Sequence, residues 1–287
     1  MARTPSFQAI RERVIHASDP RATDTVADLG AGTGLLTLAL AERVRSVWAI
    51  DRSRAMGEYV AAKAASAGHD NIRVVRASVT SIPLVDESVD LVVSSYCFHE
   101  LSDPEKRRAL AEAFRIAVPG GRVVIADMMF SPFGATARDR RVIGSKVRQL
   151  LALGAPGVVR LAKNGLRLAT GRWERPVSPA WWERGLADVG FDDIRVAALE
   201  HEIGLAVARR PFRSLDGEDA RARARSGEPE SLGQGSAAPI QPALTRTQPE
   251  NGARSHRRQG AADDPRPPGS TRWEELAGSG PGSPMAR

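Results

Sequence analysis

Three glycines at alternate positions, Gly30, Gly32 and Gly34, directly follow the apolar run Thr25–Leu29. Glycine has no Cβ and reaches left-handed backbone readily, so a run of this kind beyond a strand lets a ligand approach bare main chain. Two carboxylates frame the loop. Asp28 sits at the end of the first apolar run, and Asp51 closes the next one, Val47–Ile50, about 20 residues beyond the first glycine. A carboxylate there accepts hydrogen bonds from both hydroxyls of a ribose, which favours an adenosine-containing ligand. A dinucleotide site would need G-x-G-x-x-G, but Leu35 stands where its third glycine belongs. The loop also lacks the Gly-Lys-Ser/Thr ending that cradles phosphates. With no phosphate to neutralise, the acidic Asp28 is tolerated.

A second cluster lies in Ser95-Tyr96-Cys97-Phe98-His99-Glu100-Leu101. His99 titrates in the range suited to taking a proton from a hydroxyl or ammonium nucleophile, and it is the candidate catalytic residue. A loop histidine also serves as a structural hydrogen-bonding group, and that alternative stays open. Cys97 has no base nearby in sequence to stabilise a thiolate and reads as packing. No His, Cys and carboxylate cluster has metal-ligand spacing, so no metal site is expected.

These residues need elements to hold them. Thr25–Leu29, Val47–Ile50, Ile72–Val75, Val89–Ser95 and Arg122–Met128 read as strands. Helical spacing falls over Leu35–Val44, Ser53–Ala67 and Glu105–Val118, the last ended by Pro119, Gly120 and Gly121. Such alternation predicts a parallel sheet with helices on both faces. A helix opened by Ser178 and Pro179 precedes two adjoining strands, Phe191–Leu199 and Glu202–Ala208, which suggest a hairpin at the sheet edge.

The motifs together resemble the class I S-adenosylmethionine-dependent methyltransferases, over about residues 25–208. The matching pieces are VADLGAGTG (26–34), AIDRSRAM (49–56), ASVTSIPLVDESVDLVVSSYCFHEL (77–101) and VPGGRVVIADM (118–128), in that family's order and spacing. The resemblance implies an α/β, Rossmann-like three-layer sandwich with a mostly parallel seven-stranded sheet and an antiparallel edge hairpin. It also implies S-adenosyl-L-methionine as cofactor: Gly30, Gly32 and Gly34 near the methionine part, Asp51 on the ribose and Met56 packed near the adenine. Alignment on Pro83 places Ser78 where many relatives carry an aspartate for the adenine amino group, and a hydroxyl is a weaker acceptor there. Asp28, Met56 and Ser78 also have structural readings, as a loop-amide partner, as core and as the cap of a short following helix.

For the acceptor, the family's fold needs mainly alignment of donor and nucleophile with exclusion of water. The N-P-P-Y or D-P-P-Y sequence of amino-methylating nucleic-acid enzymes is missing after the fourth strand, which disfavours base methylation. Residues 131–177 break the alternation with a strongly basic stretch that has apolar residues between its charges, and predict a helical lid insertion. Such a cover suits a small or lipid-like acceptor, including one delivered from an anionic membrane surface. Methylation of a protein or RNA and a non-catalytic scaffold are the rival readings.

Beyond Pro211 the composition shifts to Gly, Pro, Ser, Ala, Arg and Glu without sustained period, so residues 1–210 are read as the domain and 211–287 as a disordered tail. The single cysteine excludes an internal disulfide, the opening residues carry charge where a secretory signal is apolar, and no run approaches the roughly 20 apolar residues of a spanning helix. A cytoplasmic chain, or one peripheral to a membrane, is expected.

Overall fold

The computed structural model describes residues 7–131, 133–169, 174–199 and 201–212. Residues 213–287 of the expected tail, and residues 170–173 of the insert, lie outside these residues. In chain order the elements are α1 (Phe7–Ser18), β1 (Thr25–Leu29), α2 (Leu35–Ala41), β2 (Ser46–Asp51), α3 (Arg54–Ser66), β3 (Ile72–Arg76), β4 (Val89–Ser95), α4 (Asp103–Ile116), β5 (Ala117–Met128), α5 (Ala137–Leu151), α6 (Ala155–Ala169), α7 (Pro179–Asp188), β6 (Asp192–Ala198) and β7 (Ile203–Arg209).

The strands form one seven-stranded sheet in the order β3-β2-β1-β4-β5-β7-β6. Strands β1 to β5 run parallel, while β7 pairs antiparallel with both β5 and β6. The Rossmann-like sandwich with an edge hairpin is therefore as expected. Side chains alternate between the two faces, which gives two cores. Ala27, Leu29, Val92, Val123 and Ile125 point to one side, under α4 and α7, where Phe98, Leu110 and Trp182 pack. Val26, Leu91, Val93, Val124 and Ala126 point to the other, under α1 and α2, with Ile10, Val14, Leu36 and Leu40. Trp182 is core and Trp181 lies half-buried beside it, their rings 5.6 Å apart edge to face.

Three local readings change. Helix α1 had no sequence assignment; it seals the second core and is tied down by Arg122, which donates to the Ser18 carbonyl at 2.9 Å and pairs with buried Asp24. Strand β5 begins at Ala117, not Arg122. The helix stops at Ile116, before Pro119-Gly120-Gly121, and that segment is part of β5, held in the sheet by the chain leaving β7 through Gly120 N to Arg210 O and Arg210 N to Gly121 O, each 2.8 Å. The insert forms two helices, α5 and α6, joined at 152–154. No helix follows Ser78: it bridges to Ser81 in a tight turn instead. Among the described residues no helix is long and apolar enough to cross a membrane.

Candidate active site

Strand β1 has β2 on one side and β4 on the other, so the chain order reverses at its carboxyl end and the loops that leave it diverge. Open α/β sheets place ligands in that crevice. Gly30, Gly32 and Gly34 occupy it with φ of 73°, 51° and 80°, each in the left-handed region. The close approach differs among them. A Cβ on Gly30 would overlap the Cys97 side chain, and one on Gly34 would come within 3.2 Å of Val60 Cγ2. On Gly32 it would meet nothing nearer than the Gly30 carbonyl at 3.8 Å, so that position opens outward and a side chain there would fill the groove.

The loop is pinned by β2. The amides of Gly30 and Ala31 donate to the Ile50 carbonyl at 2.8 and 3.0 Å. Asp51 then reaches both sides of the crevice: Oδ2 accepts from the Gly32 amide at 2.8 Å and Oδ1 from the Ser53 amide at 2.8 Å. Each carboxylate oxygen has two lone pairs, so both keep capacity for a further donor. Ser53 caps α3 by accepting from the Met56 amide, and this sets half-buried Met56 on the first turn of α3, beside Asp51.

Asp28 lies buried at the base of the loop. It is 2% exposed and accepts from the Thr37 hydroxyl at 2.6 Å, on the α2 side of β1. Burial pushes its carboxyl up to about 6, against the lowering effect of the Thr37 hydrogen bonds. It ties the loop to α2 through the Thr37 hydroxyl. Ser78 is exposed and shares its hydroxyl with Thr80, 2.8 Å away.

The chain beyond β4 makes a single 3₁₀ turn, Phe98–Glu100, at the same sheet edge. Tyr96 enters it with φ of 53°, a costly conformation for an aromatic residue, held by a 3.0 Å bond from its amide to the Ala126 carbonyl. His99 Nδ1 is 2.8 Å from Oδ1 of Asp127, a 1%-exposed carboxylate near the end of β5. Burial lowers the His99 pKa, but the hydrogen bond and charge of Asp127 outweigh it, and the ring ends above the ordinary histidine value. Cys97 is pushed up to about 12, first by burial and then by neighbouring carboxylates, so its thiol is a packing group. Glu100 pairs with Arg52 at the surface, 3.4 Å apart.

Asp127 escaped the sequence reading. Its signal was available: an acidic residue in an otherwise apolar strand, at the carboxyl edge beside β4. The strained Tyr96 had no such signal. Among the described residues no group of metal-ligating side chains comes together.

A domain family described as "Methyltransferase domain" matches residues 26–121. An uncharacterized methyltransferase of Geobacillus kaustophilus is 31% identical over 143 residues, which are 50% of this chain and 61% of that protein. The demethylmenaquinone methyltransferase of Clavibacter sepedonicus is 35% identical over 125 residues, 44% of this chain and 49% of that one. The chain thus spans about half to three-fifths of the length of these curated relatives. YcgJ of Bacillus subtilis shares the fold, with a TM-score of 0.50 at 18% identity over 71% of this chain and 98% of that one.

Proposed function

We propose that this chain, which belongs through residues 26–121 to the class I S-adenosylmethionine-dependent methyltransferases, binds S-adenosylmethionine in the crevice at β1 and β2 and methylates a small or lipid-like acceptor. The observation that carries this reading is Asp51, whose carboxylate bridges the glycine loop and the start of α3 and still has lone pairs for two ribose hydroxyls. Gly32, open above its Cα, leaves room for the methionine part, and Gly30 and Gly34 hold the loop in the shape that makes the room. Met56, on the first turn of α3, would stack on the adenine, and the Ser78 hydroxyl would accept from its amino group. When bound, the cofactor supplies an electrophilic methyl group on a sulfonium. Asp28 supports the loop from below, through Thr37. His99 stands at the acceptor side as the candidate base.

Calorimetric titration with S-adenosylmethionine, S-adenosylhomocysteine and NAD tests the cofactor. Micromolar binding of the first two, lost in Asp51→Ala, is expected; tight binding of NAD instead would overturn the reading.

The insert supports a lipid-like acceptor reached at an anionic membrane surface. Helix α5 is seated on the sheet edge, with Val142 buried against Met128 and Phe130 and with Tyr96 and Ile143 packed alongside. Helix α6 lies against α5 and presents its apolar residues outward: Val158 is 52% and Val159 67% exposed. At 3.6 residues per turn these share one face with Ala162, while Arg160, Lys163 and Asn164 take the other, the layout of a helix lying in a membrane interface. Flotation of the full chain with phosphatidylcholine vesicles, with and without phosphatidylglycerol, tests this. Recovery with the anionic vesicles alone, lost in Val158→Asp/Val159→Asp, is expected. Equal recovery with both vesicles would remove the membrane part and leave the cofactor reading standing.

A further inference from the structure

We propose that Asp127 positions His99 as the proton acceptor for a hydroxyl-bearing acceptor molecule, by fixing which ring nitrogen carries the hydrogen. The inference rests on the methyltransferase reading for its chemistry and on the β4–β5 edge for its geometry.

Strands β4 and β5 are neighbours in parallel register, Ser95 beside Ala126, so Asp127 stands where the chain turns out of β4. Its Oδ2 accepts from three successive amides, Cys97 at 3.1 Å, Phe98 at 2.6 Å and His99 at 3.3 Å. Its Oδ1 accepts from the Met128 amide at 2.6 Å and meets His99 Nδ1 at 2.8 Å. The four amides are obligate donors, so the carboxylate is an acceptor throughout, and the fifth partner must also bring a hydrogen. That places the hydrogen of the neutral ring on Nδ1 and leaves the lone pair on Nε2. One buried side chain therefore shapes the 97–99 turn and sets the tautomer of the histidine within it.

The ring and its backbone are held from several sides. Tyr96 packs edge-on with centroids 6.0 Å apart, and the Arg175 amide donates to the His99 carbonyl at 2.6 Å, where the insert returns to α7. The acidic groups that act on the ring are Asp127 from β5, Glu174 from the segment before α7 and Glu100 from its own turn, and all favour the protonated ring. A base so placed accepts a proton readily and releases it to water once the acceptor leaves.

The chemistry this suits is attack by an oxygen that must lose a proton. The hydroxyl oxygen forms the new bond to the methyl carbon, the electron pair of the broken carbon–sulfur bond stays on sulfur, and the hydroxyl proton passes to His99 Nε2. General-base assistance of this kind contributes about a hundredfold or more in rate. A carboxylate acceptor, already deprotonated, would need no such base.

The test uses the full chain with ¹⁵N-labelled histidine, and long-range proton–nitrogen correlation spectra across neutral pH. The expected result is a neutral His99 in the Nδ1–H form that titrates above the ordinary histidine range. In Asp127→Asn the carboxamide oxygen stays with the three donating amides at 97–99, which puts its N–H₂ against His99 Nδ1. The tautomer is then expected to switch to Nε2–H and the pKa to fall, with S-adenosylmethionine affinity by calorimetry within about twofold of wild type. A wild-type Nε2–H tautomer, or one unchanged in Asp127→Asn, would overturn the positioning role. Transfer to simple phenols and catechols supplies the second readout: His99→Gln, which leaves the Asp127 cradle in place, should lose about a hundredfold in kcat. Equal rates would overturn the base, and no transfer to any of these compounds by protein that binds the cofactor would overturn the hydroxyl assignment. Absence of cofactor binding in every variant and in wild type is a separate outcome, which sinks the methyltransferase reading and leaves the tautomer result intact.

Discussion

Gly30 and Cys97 touch across the carboxyl edge of the sheet, so closely that a Cβ built on Gly30 would overlap both Sγ and Cβ of the cysteine. A thiol can swing to another rotamer, but a Cβ is fixed to its backbone, here the strained turn beyond β4. The glycine loop and the His99 turn are therefore fitted to each other.

Gly30→Ala combines this overlap with a left-handed φ of 73° that alanine adopts at a cost. We expect a loss above about 2 kcal/mol in denaturant unfolding, with S-adenosylmethionine affinity falling at least tenfold. Cys97→Gly in the same chain should recover part of the stability, because only the backbone strain then remains. Full stability in the single variant would show that the two loops give way more easily than the contact suggests.

Asp28 makes stability depend on pH in a stated direction. Its folded-state pKa, about 6, lies above the ordinary 3.8, so the fold favours the protonated carboxyl. The contribution is complete below pH 3.8 and is lost as pH rises through about 6. Relative to wild type, Asp28→Asn should gain stability over that window by at most about 3 kcal/mol, read from urea unfolding at a series of pH values. A flat difference would show that Asp28 titrates normally.

Arg138 holds α5 to the hairpin edge. Its guanidinium donates to the carbonyls of Met129 at 2.7 Å, Leu199 at 3.0 Å, His201 at 2.7 Å and Ile203 at 3.0 Å. A lysine keeps the charge but not the fork, so Arg138→Lys should behave nearly like Arg138→Met and cost about 2 kcal/mol. Faster hydrogen exchange confined to 129–151 and 199–205 would accompany it; a lysine variant as stable as wild type would mean charge alone suffices.

Arg122 and Asp24 form a buried pair that also receives the end of α1, with side chains 11% and 5% exposed. Arg122→Met leaves Asp24 without its cation and should cost about 3–5 kcal/mol, seen as a lowered Tm. Adding Asp24→Asn should return part of that loss, because the stranded charge is then gone. If the double variant were as unstable as the single, the cost would lie in the carbonyls at the end of α1 and not in the charge.

The amino-acid sequence by itself determined the parallel core and the cofactor edge. Short, near-continuous apolar runs at Thr25–Leu29 and Val89–Ser95, glycines at 30, 32 and 34, and Asp51 at a strand end are local signals, because strand runs, left-handed turns and strand ends are set by neighbouring residues. The same holds for α7, opened by Ser178 and Pro179. Tertiary structure decided what distant segments share. Strand β5 starts at Ala117 because Ala117 pairs with Val89 of β4 and Arg210, about 90 residues on, bonds to Gly120 and Gly121. Asp28, two residues before Gly30, meets Thr37 of α2, on the face opposite Leu29, since successive strand side chains point to opposite faces. Met56 and Ser78 read alike as ligand residues, yet one is half-buried on a capped helix and the other exposed in a turn. The meeting of His99 and Asp127 depends on the register of β4 against β5, and a register is fixed by which faces are buried, a property of the whole sheet and not of either strand.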